Sequence, residues 1–166
     1  MLLVDKFFPE ASIIYYYITG STEEDLRKQM NSLGPFDLNG KPWDAYTQWD
    51  THWNWIGKNT PSYQLDKSTV LHYIQVTFPF WIIPENVSPW LAAKWEVYIR
   101  SLIVHESGHI KIVVENLKSI RNAIENAKSD TEAELAAKAA DNCIQKLSDE
   151  YEDHTGHGKY QGAIFP

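Results

Sequence analysis

The sequence predicts an α+β fold: a small, aromatic-rich antiparallel sheet packed on two long helices. Three observations predict it. Apolar and polar residues alternate through AYTQWDTHWNWI (45–56) and again through TVLHYIQVTFPF (69–80), the period of strands with one buried face. From Ser88-Pro89 to about Lys128 the apolar residues recur every three to four positions, which is the period of a helix. An alanine-rich stretch opening at Thr131 repeats that pattern to roughly Tyr151.

Each element carries a local reason. SIIYYYIT (12–19) is β-branched and aromatic, and reads as a strand. STEEDLRKQMNSLGP follows, with Ser21 and Glu24 placed as a capping box and Gly34-Pro35 as the stop, so a short helix is expected there. In 45–56 one face carries Ala45, Thr47, Trp49, Thr51, Trp53 and Trp55, and the other carries Tyr46, Gln48, Asp50, His52 and Asn54. In 69–80 the core face is Val70, Ile74, Val76 and Phe78, with His72 among them. The first long helix opens on a cap followed by proline at its first position. Leu102, Ile103, Ile110, Val113, Val114, Leu117, Ile120 and Ile124 are its apolar stripe. Thr131 and Glu134 form the capping box of the second helix, and a glycine-rich tail, EDHTGHGKYQGAIFP, follows.

With 166 residues, no repeat and no low-complexity linker, the chain reads as one domain, 1–166. A net charge of −7 excludes an electrostatic nucleic-acid binder, which needs a basic stripe. A single cysteine, Cys143, excludes an intrachain disulfide and a cysteine-built zinc site. No apolar run reaches the ~20 residues of a membrane span. The opening MLLVDKFFPEAS lacks a basic segment and a sufficient apolar stretch, so it does not read as a secretory signal. A cytoplasmic protein and an exported one shorn of its leader both fit, and the oligomeric state is left open.

The chemistry concentrates in IRSLIVHESGHIKIVVENL (99–117). On a helix His105 and His109 rise from one face a turn apart, with Glu106 about 100° round the axis. H-E-x-x-H in this setting holds zinc between two imidazoles and poises a carboxylate beside a water at the metal. Burying those groups unpaired in an apolar helix is costly. A catalytic zinc takes three protein ligands, and His154 and His157 follow in the glycine-rich tail. Glu150 or Glu152 would instead make a two-histidine, one-glutamate site, while His52 and His72, on strands, are the remaining candidates.

HESGH together with YEDHTGHGKYQGA resembles an uncharacterised bacterial family described as predicted secreted zinc-dependent proteases, whose members pair H-E-x-G-H with a later Y-D-x-x-T-x-H-G motif and a nearby Q-G. YYYITGSTEEDLRKQM, LGP and AYTQWDTHWNW are similar to that family's opening, so the likeness spans nearly the whole chain. The resemblance implies a zincin-like metallopeptidase with Zn2+ held by His105, His109 and His157, a peptide or protein substrate, and a periplasmic or secreted location. Carried over by position, the motif's threonine is Thr155 and its tyrosine Tyr151; its aspartate is Glu152 here, longer by one methylene. Glu106 would accept a proton from the attacking water and deliver it to the leaving amine. Tyr151 would stabilise the oxyanion, with Tyr160 as the alternative, and Glu152 or Asp153 would orient a ligand ring. Two rival functions remain: a zinc amidase acting on peptidoglycan or another amide, and a non-catalytic binding module in which metal ties the tail to the helix.

Overall fold

The computed structural model describes residues 4–37 and 40–166. Residues 1–3 of the opening segment therefore lie outside the described residues. The element order is β1 (Ser12–Ile18), α1 (Glu23–Leu33), β2 (Tyr46–Ile56), β3 (Gln64–Trp81), α2 (Pro89–Glu125) and α3 (Asp130–Thr155), with 3-10 turns at Val4–Phe7 and Lys159–Gln161. The class is α+β, and the three strands lie in the order β1-β3-β2. No helix among the described residues is long and apolar enough to cross a membrane.

The sheet is mixed, not antiparallel throughout: β1 runs parallel to β3, with Ser12 opposite Gln75 and Ile18 opposite Trp81. Alternation in a sequence tells which side chains share a face, and it is blind to the direction of the neighbouring strand. Two caps also lie elsewhere than expected. Thr22, not Ser21, caps α1 by accepting from the Asp25 amide at 3.1 Å. Ser129, not Thr131, caps α3 by accepting from the Glu132 amide at 3.2 Å, and the Glu132 carboxylate, not that of Glu134, reaches back to the Lys128 amide at 3.0 Å. His72 shares a face with Val70 and Ile74 yet is exposed.

The chain folds into two compact units, neither of which is a single run of sequence. The first comprises Met1–Gln48, Ile74–Ile110 and Glu152–Pro166. Its core gathers Phe8, Ile18, Leu26, Met30, Val76, Phe78, Trp81, Trp95, Tyr98 and Phe165. Arg27 on α1 grips Asp44 through both terminal guanidinium nitrogens at 2.6 and 2.8 Å, and it also donates to the carbonyls of Phe165 and Pro166 at 3.0 Å each. Tyr98 donates to the same carboxylate at 2.5 Å, and Tyr16 to the Asp44 carbonyl at 2.6 Å. Burial, then the charge of Asp44, pushes both phenols above the ordinary tyrosine value, so they stay protonated donors. Phe165 packs its ring 5.2 Å from Trp95 and 5.1 Å from Tyr98, which fastens the tail to α2.

The second unit comprises Trp49–Tyr73 and Lys111–Tyr151. Trp55, Val113, Ile120, Ile124, Ala133, Ala137 and Ile144 are buried in it. Two of its tryptophans are tied down by their polar ends, Trp53 to Glu134 at 3.1 Å and Trp55 to Asp130 at 2.7 Å. Lys58 pairs with Glu134 at 2.8 Å and lies 4.5 Å over the Trp55 ring.

Candidate metal centre

The first unit carries the site. His105, Glu106 and His109 on α2 are 5%, 3% and 5% exposed. Burial of two imidazoles and a carboxylate demands partners, and each has one. The carboxylate of Glu152, on the last turn of α3, reaches His109 Nε2 at 2.9 Å and His105 Nε2 at 3.5 Å through its Oε1. Thr47 on β2 donates to Glu106 Oε2 at 2.6 Å, a fully buried bond. His105 Nδ1 donates to Gln161 Oε1 at 2.9 Å, which leaves Nε2 turned toward Glu152.

The tail is shaped to close this arrangement. α3 runs on to Thr155, so Tyr151, Glu152, Asp153 and His154 are helical and not part of a loop. Three consecutive left-handed residues then reverse the chain: Gly156 (φ 58°), His157 (φ 56°) and Gly158 (φ 77°). For His157 that conformation costs about 1–2 kcal/mol. Its amide bonds the Glu152 carbonyl at 2.9 Å, and its Nδ1 meets Glu152 Oε2 at 2.9 Å. Trp43 backs the ring at 5.0 Å, with Lys41 4.0 Å above Trp43. A Cβ on Gly158 would sit 3.1 Å from His105 Cγ, so only glycine lets the tail lie against that imidazole. Thr155 Oγ1 accepts from the Gly158 amide at 3.3 Å and steadies the turn.

Among the described residues, His105, His109 and Glu152 present ligand atoms all within 4.8 Å of one another. Two imidazoles and a carboxylate are a zinc donor set, and bonds of about 2.0–2.1 Å in a tetrahedron put neighbouring ligand atoms about 3.3 Å apart. The two separations from Glu152, 2.9 and 3.5 Å, straddle that spacing, and all three ligand atoms lie within 4.8 Å, so the donor set suits the ion with a small closing of the cluster. The charges agree. Burial pushes Glu152 up, but hydrogen bonds from His105 and His109 overcome it and hold the carboxyl well below the ordinary range. Burial pulls His105 down, and the bond to Glu152 with the charges of Glu106 and Glu152 more than restores it, leaving it raised. Glu106 is raised by burial, against the pull of His109, His105 and Thr47.

The other candidates lie as follows. His157 holds the far oxygen of Glu152. Tyr151 precedes Glu152 on α3 and points about 100° away round the helix; it belongs to the second unit. His154, Glu150 and Asp153 are exposed on α3, and Tyr160 is 76% exposed. His52 pairs with Asp50 at 2.9 Å on the surface of the second unit, which also contains His72. Sequence reasoning missed Thr47 and the role of Gln161. A hydroxyl on a mostly apolar strand face, shared with Thr51, was the signal for Thr47, and the Q-G after the tail motif was the signal for Gln161.

A family model for a bacterial protein of unknown function, DUF922, matches residues 13–158. The chain belongs to the DUF922 family. Neither a curated protein nor a solved structure matches it. The DUF922 match takes in His105, Glu106, His109, Glu152 and His157, together with Thr47.

Proposed function

We propose that this DUF922 protein is a zinc-dependent hydrolase of zincin-like type whose substrate bond is the peptide bond. The observation that carries the reading is Glu106: a carboxylate 3% exposed, beside the three converging donors, with one oxygen held by Thr47. A metal that merely ties a tail to a helix needs no such group, which favours the enzyme over the binding module.

His105, His109 and Glu152 would hold the ion, and zinc there would supply Lewis acidity to a carbonyl and lower the pKa of water. The chain's own residues do the rest. Gln161 fixes the His105 ring and its tautomer, and His157 fixes the Glu152 carboxylate, the outer support that ligand residues require. Glu106 uses the oxygen Thr47 does not occupy to take a proton from the attacking water, and returns it to the leaving nitrogen. Its raised affinity for protons, a consequence of burial, suits a group that must accept one at neutral pH.

The test is metal analysis of untagged protein alongside hydrolysis of unfolded protein, mixed peptides and peptidoglycan fragments. About one zinc per chain is expected. His105→Ala and Glu152→Ala should lose it, while His157→Ala should weaken it only about 10- to 100-fold, as removal of an outer support does. Glu106→Gln should keep the metal and the fold but lose at least ~10²-fold in hydrolysis. Full zinc in Glu152→Ala refutes the ligand set. Undiminished activity in Glu106→Gln refutes the mechanism, and cleavage confined to peptidoglycan fragments replaces the peptidase with the amidase.

A further inference from the structure

Within the first unit α2 turns three large apolar side chains to solvent: Trp90, Val97 and Val104, which are 63%, 65% and 56% exposed. They stand seven residues apart, so they form one line along the helix that drifts only about 20° per step. A helix face left in water normally carries polar residues there. Ala93, small and exposed, lies beside the line and leaves room for a close neighbour. Glu96 and Arg100 border it, joined at 2.6 Å and both more than half exposed. Lys94, 5.0 Å over the Trp90 ring and bonded to Glu23 at 2.8 Å, holds the indole in place. We infer that this stripe is the contact between two copies of the chain, packed antiparallel through α2 about a twofold axis at Val97.

The pattern complements itself under that operation. Reversal about Val97 sets Trp90 opposite Val104 of the second copy, and Val97 opposite its own equivalent. Arg100 then differs in height from Glu96 of the second copy by two residues, about 3 Å at the helical rise. Each ion pair can therefore exchange across the contact. Parallel pairing would instead set the Glu96 and Arg100 of the two copies on opposite sides of the contact, where neither ion pair can exchange. A lipid surface fits less well, because an interfacial helix surrounds its apolar face with lysine and arginine, and this chain carries a net charge of −7. Three side chains make a small apolar patch. A stable interface buries about 800 Å² per partner, more than these three side chains supply, so the dimer is weak.

Sedimentation velocity on the full chain, from ~1 to ~500 µM, tests this directly. The expected result is a concentration-dependent monomer–dimer shift that Val97→Arg weakens at least ~10-fold, because it buries a charge against its own equivalent. Val97 is exposed, so that variant should match the wild type in circular dichroism and thermal midpoint. Two charge reversals test the pairing. Glu96→Arg and Arg100→Glu should each associate more weakly than the wild type, and their equimolar mixture should associate more strongly than either alone. A monomer at every concentration overturns the inference, including one that co-sediments with vesicles. So does a dimer indifferent to Val97→Arg, or a mixture no stronger than its components.

Discussion

The two halves of α2 obey different rules. As far as Ile110 the helix buries His105, Glu106 and His109 among Tyr98, Leu102 and Ile103; from Lys111 onward its fully buried residues are Val113, Ile120 and Ile124. The second half stabilises its unit by excluding water, and any well-shaped apolar neighbour serves. The first half sets groups in its core that each cost several kcal/mol to bury alone, and it is tolerable only because Thr47, Glu152 and Gln161 arrive at defined atoms. One half is thus sensitive to volume and the other to placement.

Substitutions can break that contrast. The largest effect on stability is expected at Ile120, which is completely buried: Ile120→Ala should cost about 2–5 kcal/mol in urea denaturation, with metal content per folded chain unchanged. A loss of metal there would show that the halves are not independent in what they require. At Gln161 the prediction is the reverse. Gln161→Ala removes a half-buried surface contact, so the unfolding midpoint should barely move, while a chelator competition should find zinc held about 10- to 100-fold less tightly. If stability falls and affinity does not, Gln161 is a packing residue. The smallest effect belongs to Glu134, whose carboxyl is lowered first by its bond to Lys58. A lowered carboxylate contributes above its unfolded value, about 4.5, and the contribution disappears as the pH falls through the folded value below it. Glu134→Gln should flatten the acid side of the stability profile by less than about 1 kcal/mol, because the pair is part-exposed. A larger change would mean that charge, and not volume, governs the second unit.

Much of this was legible in the sequence, and what was missed has a common cause. Periodicities set by a residue and its near neighbours came through: the alternation of 45–56, the long helix from Pro89, and the two histidines one turn apart. Relations between distant segments did not. The parallel pairing of β1 with β3 joins residues more than sixty positions apart, and nothing in SIIYYYIT encodes the direction of its partner. Glu152 and His157 are both candidate ligands in the sequence. Their placement turned on whether α3 stopped near Tyr151 or ran on to Thr155, a difference of one helical turn that decides which side chain faces α2. Alternation places Thr47 on a strand face and says no more, because its partner, Glu106, is 59 residues away.

The separation between His105 and Gln161 bears on how the protein is born. Fifty-six residues divide them. At about 5–20 residues per second, the ribosome needs roughly 3 to 11 s to bridge that gap. Thr47, made earlier, is ready to receive Glu106 as soon as α2 emerges. The carboxylate of Glu152 and the amide of Gln161 are not. The nascent chain therefore has both partners of the Thr47–Glu106 bond before it has those of the His105, His109 and Glu152 cluster, and two unsupported imidazoles wait on α2 until the tail is synthesised. A product cut short anywhere before Glu152 would carry the first and lack the second.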